Sequence, residues 1–234
     1  MSKFRLFLLT SLFIACSYAA SAQSTIFNVP STDVIPKGRF LLELDFIAKF
    51  ERYSKGGYQN YGYRVVYGAK KKVEIGANFF YTRNGESSPK EFQPNIKWQP
   101  YENEKHGVAI STGAQLFIPL NKSAGSRVYT MLYFNGSKTI KKTNGTRLTG
   151  GFYSVFGAES DFGTKRGVIV AVEQPLIRRV SFVADWYSGN NRLGYAAAGF
   201  NIVLSSKQFL MFGYNFGNYG RGNNAFSAFY GYTF

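Results

Sequence analysis

The feature that most constrains the fold of this sequence is a period-two alternation of apolar and polar residues, in segments of about ten residues. In the first of these segments, Leu42, Leu44 and Phe46 alternate with Glu43 and Asp45. Because successive side chains of a β-strand point to opposite faces, this pattern predicts a strand with one apolar and one polar face. Similar segments continue to the C-terminus, and they indicate twelve strands in all.

Turn lengths indicate how these strands are connected. Short connections, such as residues 69–72 and 177–179, alternate with longer ones, such as residues 51–57 and 158–165. This arrangement is typical of an antiparallel up-and-down meander, so the sequence predicts an all-β fold that closes into a barrel of about twelve strands. Strands are also expected at residues 127–138 and 146–157, but the pattern does not decide which of their faces points inward.

The N-terminus predicts export from the cytoplasm. Two basic residues precede a short apolar run, residues 6–15, and a stretch of small residues ends at Ala22. This is the layout of a secretory signal peptide, and we expect cleavage after Ala22. Cys16 leaves an alternative open, because residues 13–16 loosely resemble a lipoprotein cleavage box. Cleavage after Ala22 removes the only cysteine, so the mature chain is expected to contain neither a disulfide nor a thiol nucleophile.

Three features favour a membrane barrel over a soluble one. The polar faces are rich in Gly, Ser, Asn and Gln, which suits a wet lumen. Aromatic residues make up 18% of the chain and concentrate near the ends of the predicted strands, where membrane barrels carry aromatic girdles. The chain also ends on an aromatic residue. No segment of the mature chain has the long apolar run of a transmembrane helix, so the strands are expected to cross the membrane as a closed barrel.

The last strand carries a family resemblance. Residues 226–234, with the sequence FSAFYGYTF, resemble the C-terminal strand signature of Gram-negative outer-membrane proteins. The resemblance implies that Tyr230, Tyr232 and Phe234 form an assembly signal, which the barrel-assembly machinery reads. A shorter run, residues 34–43, is similar to the start of poorly characterised twelve-stranded barrels classed as outer-membrane transporters.

These patterns divide the chain into three parts: a signal peptide at residues 1–22, a periplasmic lead-in segment at residues 23–37 and an outer-membrane barrel at residues 38–234. An even strand number places both termini in the periplasm, with the longer loops facing outward. The lead-in contains Pro30 and Pro36 and lacks sustained alternation, and we expect it to lie against the barrel or inside it.

Charge suggests which partners the protein has. Lys and Arg number 28 against 13 acids, and two of the basic residues belong to the signal peptide, so the mature chain carries +13. The basic residues form no single tract, and nucleic acid is not an expected partner of an exported chain. Most of them fall in predicted turns and loops, where they are either simply solvated or contact lipopolysaccharide phosphates. Outer-membrane lipids and lipopolysaccharide are therefore the expected partners, together with the assembly machinery.

No catalytic or cofactor site is expected. His106 is the only histidine, and it falls in a predicted periplasmic turn beside Glu104 and Lys105. A lipid hydrolase of the barrel type would resemble a family that uses His with Ser at the lipid face, but the nearby Ser111 is predicted to face the lumen. We therefore expect a solvated turn histidine. The sequence also contains neither a cluster of metal ligands nor a nucleotide-binding motif.

One cluster of charged residues is predicted inside the barrel. Because side chains alternate, Arg64 on the second strand should face the lumen opposite Glu43 or Asp45 on the first strand. Glu74 on the third strand should also point inward, and we expect Arg64 to bridge these acids. The cluster is either a buried structural ion pair or a constriction that binds or selects a solute.

Three functions are compatible with this sequence. The first is a narrow channel or transporter for small solutes, favoured by the polar strand faces. The second is a structural barrel, or one that binds a ligand or lipid, with its lumen plugged. It is favoured by bulky inward residues such as Leu41, Phe117 and Phe229. The third and least favoured is a membrane lipid hydrolase, which would depend on His106.

Overall fold

The computed structural model shows a closed barrel of twelve antiparallel strands in up-and-down order, as the sequence predicts. It describes residues 24–220 and 224–234, so the expected signal peptide and its cleavage site lie outside the described residues. The strands are β1 Phe40–Lys49, β2 Tyr58–Lys70, β3 Val73–Arg83, β4 Lys90–Asn103, β5 Val108–Pro119, β6 Tyr129–Ile140, β7 Thr146–Phe156, β8 Arg166–Ile177, β9 Val180–Tyr187, β10 Tyr195–Ser205, β11 Gln208–Gly217 and β12 Ala225–Thr233. Short 3-10 turns lie at Tyr53–Lys55, Lys122–Ala124, Lys141–Thr143 and Ser160–Phe162.

The first and last strands close the barrel. β1 pairs with β12 along eight residue pairs, from Leu41 opposite Thr233 to Ala48 opposite Phe226. Beyond this ladder, Phe40 and Phe234 exchange two backbone hydrogen bonds, of 2.9 and 3.0 Å. The C-terminal residue is therefore part of the seam and contributes to its closure.

Side-chain alternation gives the wall an apolar outer face and a polar inner face. Leu44 on β1 is 53% exposed and Phe152 on β7 is 59% exposed, whereas Glu43 is only 2% exposed. A soluble barrel would bury its apolar face, so this arrangement is that of a transmembrane barrel whose outer wall contacts lipid. Among residues 24–220 and 224–234, no helix is both long enough and apolar enough to span a bilayer.

The structure decides the faces of the two strands that the sequence left open. On β6, Tyr129, Met131 and Tyr133 point inward and are buried. On β7, Gly150 and Phe152 point outward. Large apolar residues lie on the outer faces of these strands as well, such as Leu132, Phe134 and Leu148, so both faces are apolar and the apolar-out pattern that is plain on β1 is hidden.

The two ends of the barrel differ. At one end, which we call the terminal end, lie both ends of the barrel wall and the short turns, such as residues 71–72, 178–179 and 206–207. The opposite end, the loop end, carries longer connections such as residues 120–128 and 157–165. By the usual topology of such barrels, the loop end faces outward and the terminal end faces the periplasm.

We call residues 24–38 the plug. Residues 24–35 lie inside the lumen, and residues 36–38 are exposed where the plug leaves it. Ile26, Phe27, Val29 and Ile35 are each at most 1% exposed. The plug folds back on itself, with a bridge between Thr25 and Pro30. Its apolar side chains pack against the inward bulky residues of the wall, so the terminal half of the lumen is filled.

The plug leaves the lumen beside Gly68 on β2, where the absence of a side chain makes room for the plug backbone. The amide of Gly38 donates to the carbonyl of Gly68 on β2 at 2.8 Å. A Cβ atom at Gly68 would lie 2.1 Å from the carbonyl oxygen of Pro36, well inside van der Waals contact. Only a glycine lets the plug backbone run this close to the wall.

Candidate functional site

Two acidic residues of the wall hold the plug. The first is Glu74 on β3, which accepts hydrogen bonds from the Ser24 hydroxyl at 2.6 Å and the Ile35 amide at 2.7 Å. Lys97 on β4 lies 3.0 Å from Glu74 and donates to the Ser24 carbonyl at 2.8 Å. Both charges are buried, and each is paired with the other and with the plug.

The second acidic residue, Asp185 on β9, holds the tip of the plug. Its Oδ2 oxygen accepts hydrogen bonds from three consecutive backbone amides, those of Phe27, Asn28 and Val29, at 3.0, 2.5 and 2.7 Å. The turn of the plug directs these amides to one point, where a carboxylate satisfies all three. Hydrogen bonds to a charged acceptor are the stronger kind, so Asp185 is a principal anchor of the plug.

Neutral polar side chains of the wall add further contacts to the plug backbone. They bind carbonyl oxygens that the plug's irregular backbone leaves without strand partners. The contacts are Gln99 to the Thr32 carbonyl at 3.0 Å, Ser111 to the Ser31 carbonyl at 3.3 Å and Asn135 to the Pro30 carbonyl at 2.7 Å. Strands β3, β4, β5, β6 and β9 thus all contribute to holding the plug.

Arg147 on β7 provides a bidentate contact near the exit of the plug. Its guanidinium donates to both carboxylate oxygens of Asp33, at 2.6 and 2.8 Å, and also to the hydroxyl of Thr32. Burial opposes ionisation of Asp33, but the hydrogen bond and the positive charge of Arg147 hold the pKa of this carboxyl below its ordinary value. Asp33 is therefore ionised at neutral pH.

Above the plug, towards the loop end, lies a cavity of about 410 Å³, which we call the outer chamber. Thr25, Asn28 and Pro30 of the plug form its floor. Its walls come from the loop-end halves of the strands, and Ser123 and Arg192 in the loops line its mouth. The volume lies in the range of about 300–1,000 Å³ that is typical of small-molecule sites.

The predicted charge cluster lies partly in the wall of this chamber. Arg64 is directly opposite Glu43 in the β1–β2 register, with its Nη1 atom 2.5 Å from Glu43 and 3.7 Å from Asp45. Arg64 and Asp45 line the outer chamber. Glu74 does not join them, because it lies at the terminal end with Lys97 and the plug. The neighbour of Arg64 on β3 is Asn78 instead.

A second charged pair at the mouth was not anticipated from the sequence. Arg192 binds Glu91 through two hydrogen bonds of 2.7 and 3.0 Å. Its guanidinium also lies over the rings of Phe117 and Tyr129, at 5.6 and 6.0 Å from their centroids. Glu91 precedes the alternating residues from which its strand was predicted. Arg192 lies in a loop, where side-chain alternation does not predict a direction.

The structure does not bring the histidine and the serine of a hydrolase together. His106 lies exposed in the turn between β4 and β5, where its backbone amide donates to Asn103 at 3.0 Å. Ser111 is buried in the lumen and bound to the plug. Within the described residues, no group of three or more His, Cys, Asp or Glu side chains is placed to hold a metal ion.

The three residues of the expected assembly signal lie on the outer face of β12. Tyr230 and Phe234 are exposed, and the Tyr232 ring lies 6.0 Å from that of Phe234. The Phe234 ring also stacks on Phe40 across the seam at 5.5 Å. These three residues therefore lie on the outside of the barrel at the terminal end of the seam, and their role in assembly stays a prediction.

No protein-family model matches the sequence, and no curated protein is similar to it. Solved barrels do resemble its structure. Outer membrane phospholipase A from Escherichia coli is 12% identical with a TM-score of 0.48, over 86% of this chain and 93% of that chain. The translocator domain of autotransporter NalP from Neisseria meningitidis is 10% identical with a TM-score of 0.42, over 84% and 87%. A porin from Rh. blastica is 8% identical with a TM-score of 0.38, over 84% and 97%. The likeness concerns the fold alone, a closed antiparallel β-barrel.

Proposed function

We propose that this protein is an outer-membrane barrel that binds a small polar solute in its outer chamber, while the plug keeps the lumen closed on the periplasmic side. The observation that carries this proposal is the position of the plug, which separates a chamber at the loop end from a filled terminal half. No catalytic role is part of the proposal. The partners are the solute, the lipids around the wall and the assembly machinery that reads β12.

Cysteine accessibility tests this arrangement. The only native cysteine, Cys16, lies in the expected signal peptide, so single cysteines can be introduced into an otherwise thiol-free mature chain. Ser123 lies exposed at the mouth of the chamber, whereas Ser137 is 6% exposed on the plugged side. On intact cells, a membrane-impermeant maleimide should label Ser123→Cys and leave Ser137→Cys unlabelled.

Planar bilayers provide the second measurement. The unmodified protein should show no steady conductance, because the plug fills the terminal half of the lumen. A constantly open pore, or equal labelling of the two cysteines, would contradict the proposal. Heat-modifiable gel mobility verifies that each variant is a folded barrel.

A second candidate function is regulated passage of the solute through the lumen. It is favoured because the plug continues into the barrel wall only at its C-terminal end and is otherwise held by non-covalent contacts. The hydroxyl oxygens of Thr32 and Ser137 lie 2.7 Å apart, so cysteines at these two positions should form a disulfide that locks the plug. Solute flux that appears on reduction and disappears on oxidation would support passage. Absence of flux in both states would leave binding as the function.

A further inference from the structure

Amide side chains dominate the polar wall of the outer chamber. Six Asn and Gln residues line it: Asn28, Asn60, Asn78, Gln93, Gln115 and Asn215. An amide presents donors and an acceptor side by side, and a hydroxyl group is likewise both donor and acceptor. A wall of amides therefore matches a neutral molecule that is rich in hydroxyl groups.

Several of these amides have polar atoms without a protein partner. Within the described part of the chain, no hydrogen bond reaches the Oδ1 atoms of Asn60, Asn78 and Asn215. Asn78 and Asn215 are each only 3% exposed. These oxygens are shielded from solvent, so a ligand reaches one only after the amide side chain turns its oxygen towards the chamber. Because buried polar groups in native proteins are almost always hydrogen-bonded, a ligand bound after such a turn would satisfy the oxygen. All three are acceptors, which ligand hydroxyl groups can satisfy in this way.

The charged groups of the chamber, in contrast, are already engaged with each other. The lining contains two acids and two arginines, namely Asp45, Glu91, Arg64 and Arg192. Arg64 is bound to Glu43 and lies near Asp45, and Arg192 is bound to Glu91 through both carboxylate oxygens. A charged ligand would have to break one of these pairs or remain uncompensated in a confined space. The chamber therefore favours a neutral ligand.

Aromatic rings complete the lining. Tyr58, Phe80, Tyr195 and Phe229 all contribute to it. Sugar rings have apolar faces of C–H groups, which pack against aromatic rings while their hydroxyl groups bind the polar wall. We propose that the outer chamber binds a neutral sugar of one or two rings, an inference that rests on the proposed binding function and specifies its ligand class.

Ligand-observed saturation-transfer NMR tests this class directly. The full mature chain is folded in a zwitterionic detergent without a sugar headgroup, since a maltoside detergent would itself compete. The probes are maltose and sucrose as neutral sugars, glucuronate as an anionic sugar and lysine as a charged non-sugar. Maltose or sucrose should bind, and glucuronate and lysine should bind more weakly or not at all.

Two matched variants locate the binding site. Asn215→Leu removes an amide from the chamber, and Asn201→Leu makes the same change on the inner face of β10 outside the chamber. Loss of one neutral hydrogen bond should weaken sugar affinity about tenfold in Asn215→Leu, whereas Asn201→Leu should retain the native affinity. Equal sugar binding by both variants would overturn the inference. Binding of lysine or glucuronate alone, with dependence on Asn215, would reject the sugar class and leave the proposed function intact. Binding of none of the probes would count against both.

Discussion

Substitution of Asp185 is the sharpest test of how the plug is held. Asp185→Leu keeps a side chain of similar size but removes the acceptor for the amides of Phe27, Asn28 and Val29. Hydrogen bonds to a charged group contribute ~1.5 kcal/mol each at the lower end of their range, so three of them give about 4.5 kcal/mol. The substitution destabilises the docked plug relative to a released plug. The loss cannot exceed the free energy of docking, because water can satisfy the three amides once the plug is released.

Hydrogen–deuterium exchange of the peptide that covers the plug measures this effect. A loss of about 4.5 kcal/mol corresponds to roughly two-thousandfold faster exchange of the three amides through local opening. Asp185→Asn keeps an acceptor oxygen without the charge and should give an intermediate rate. Asn215→Leu, a lumen substitution that removes no contact with the plug, is the matched control. Unchanged exchange in a folded Asp185→Leu barrel would refute the assigned role.

Three further predictions concern the wall and the termini. Arg64→Met should lower the free energy of unfolding by about 3–5 kcal/mol in urea titrations, because Glu43 is left as a buried unpaired charge; Glu43→Gln in the same chain should restore part of it. A single Arg64→Met variant of native stability would contradict this. Phe234→Ser should reduce the amount of heat-modifiable folded barrel in cells, and normal yield would count against an assembly role for the last residue. Intact mass should show a mature chain that begins at Gln23, whereas an acylated Cys16 would overturn the predicted cleavage site.

The strands and their faces could be predicted from the sequence wherever charged residues alternate regularly with apolar ones. On β1, Glu43 and Asp45 alternate with large apolar residues, so a single assignment of faces suffices. That assignment also placed Arg64 opposite Glu43 or Asp45, since the parity of a hairpin fixes which residues can share a face. The register in the structure selects Glu43. The strand number followed from turns and loops that punctuate almost every segment.

The rest depends on contacts that no local pattern encodes. On β6, Tyr129, Met131 and Tyr133 pack in the lumen while Leu132 and Phe134 face outward, so both faces carry large apolar residues and alternation does not tell them apart. Arg147 was missed for the same reason, since the faces of its strand were undecided. Glu74 was expected beside Arg64 because both point inward, but its height in the barrel places it against the plug. Only the three-dimensional position of the plug explains these departures.

The place where the plug leaves the lumen has a consequence for the order of assembly. Gly38 binds Gly68 there, and two residues later Phe40 pairs with Phe234 to close the seam. The exit of the plug and the final pair of the seam are therefore neighbours in space, although that final pair joins residues that are far apart in the sequence. If the seam closed before the plug was in place, the plug would have to enter the closed barrel through its periplasmic opening. If the plug is in place before the seam closes, this passage is avoided, and the pairing of β12 with β1 then encloses the segment that directly precedes β1.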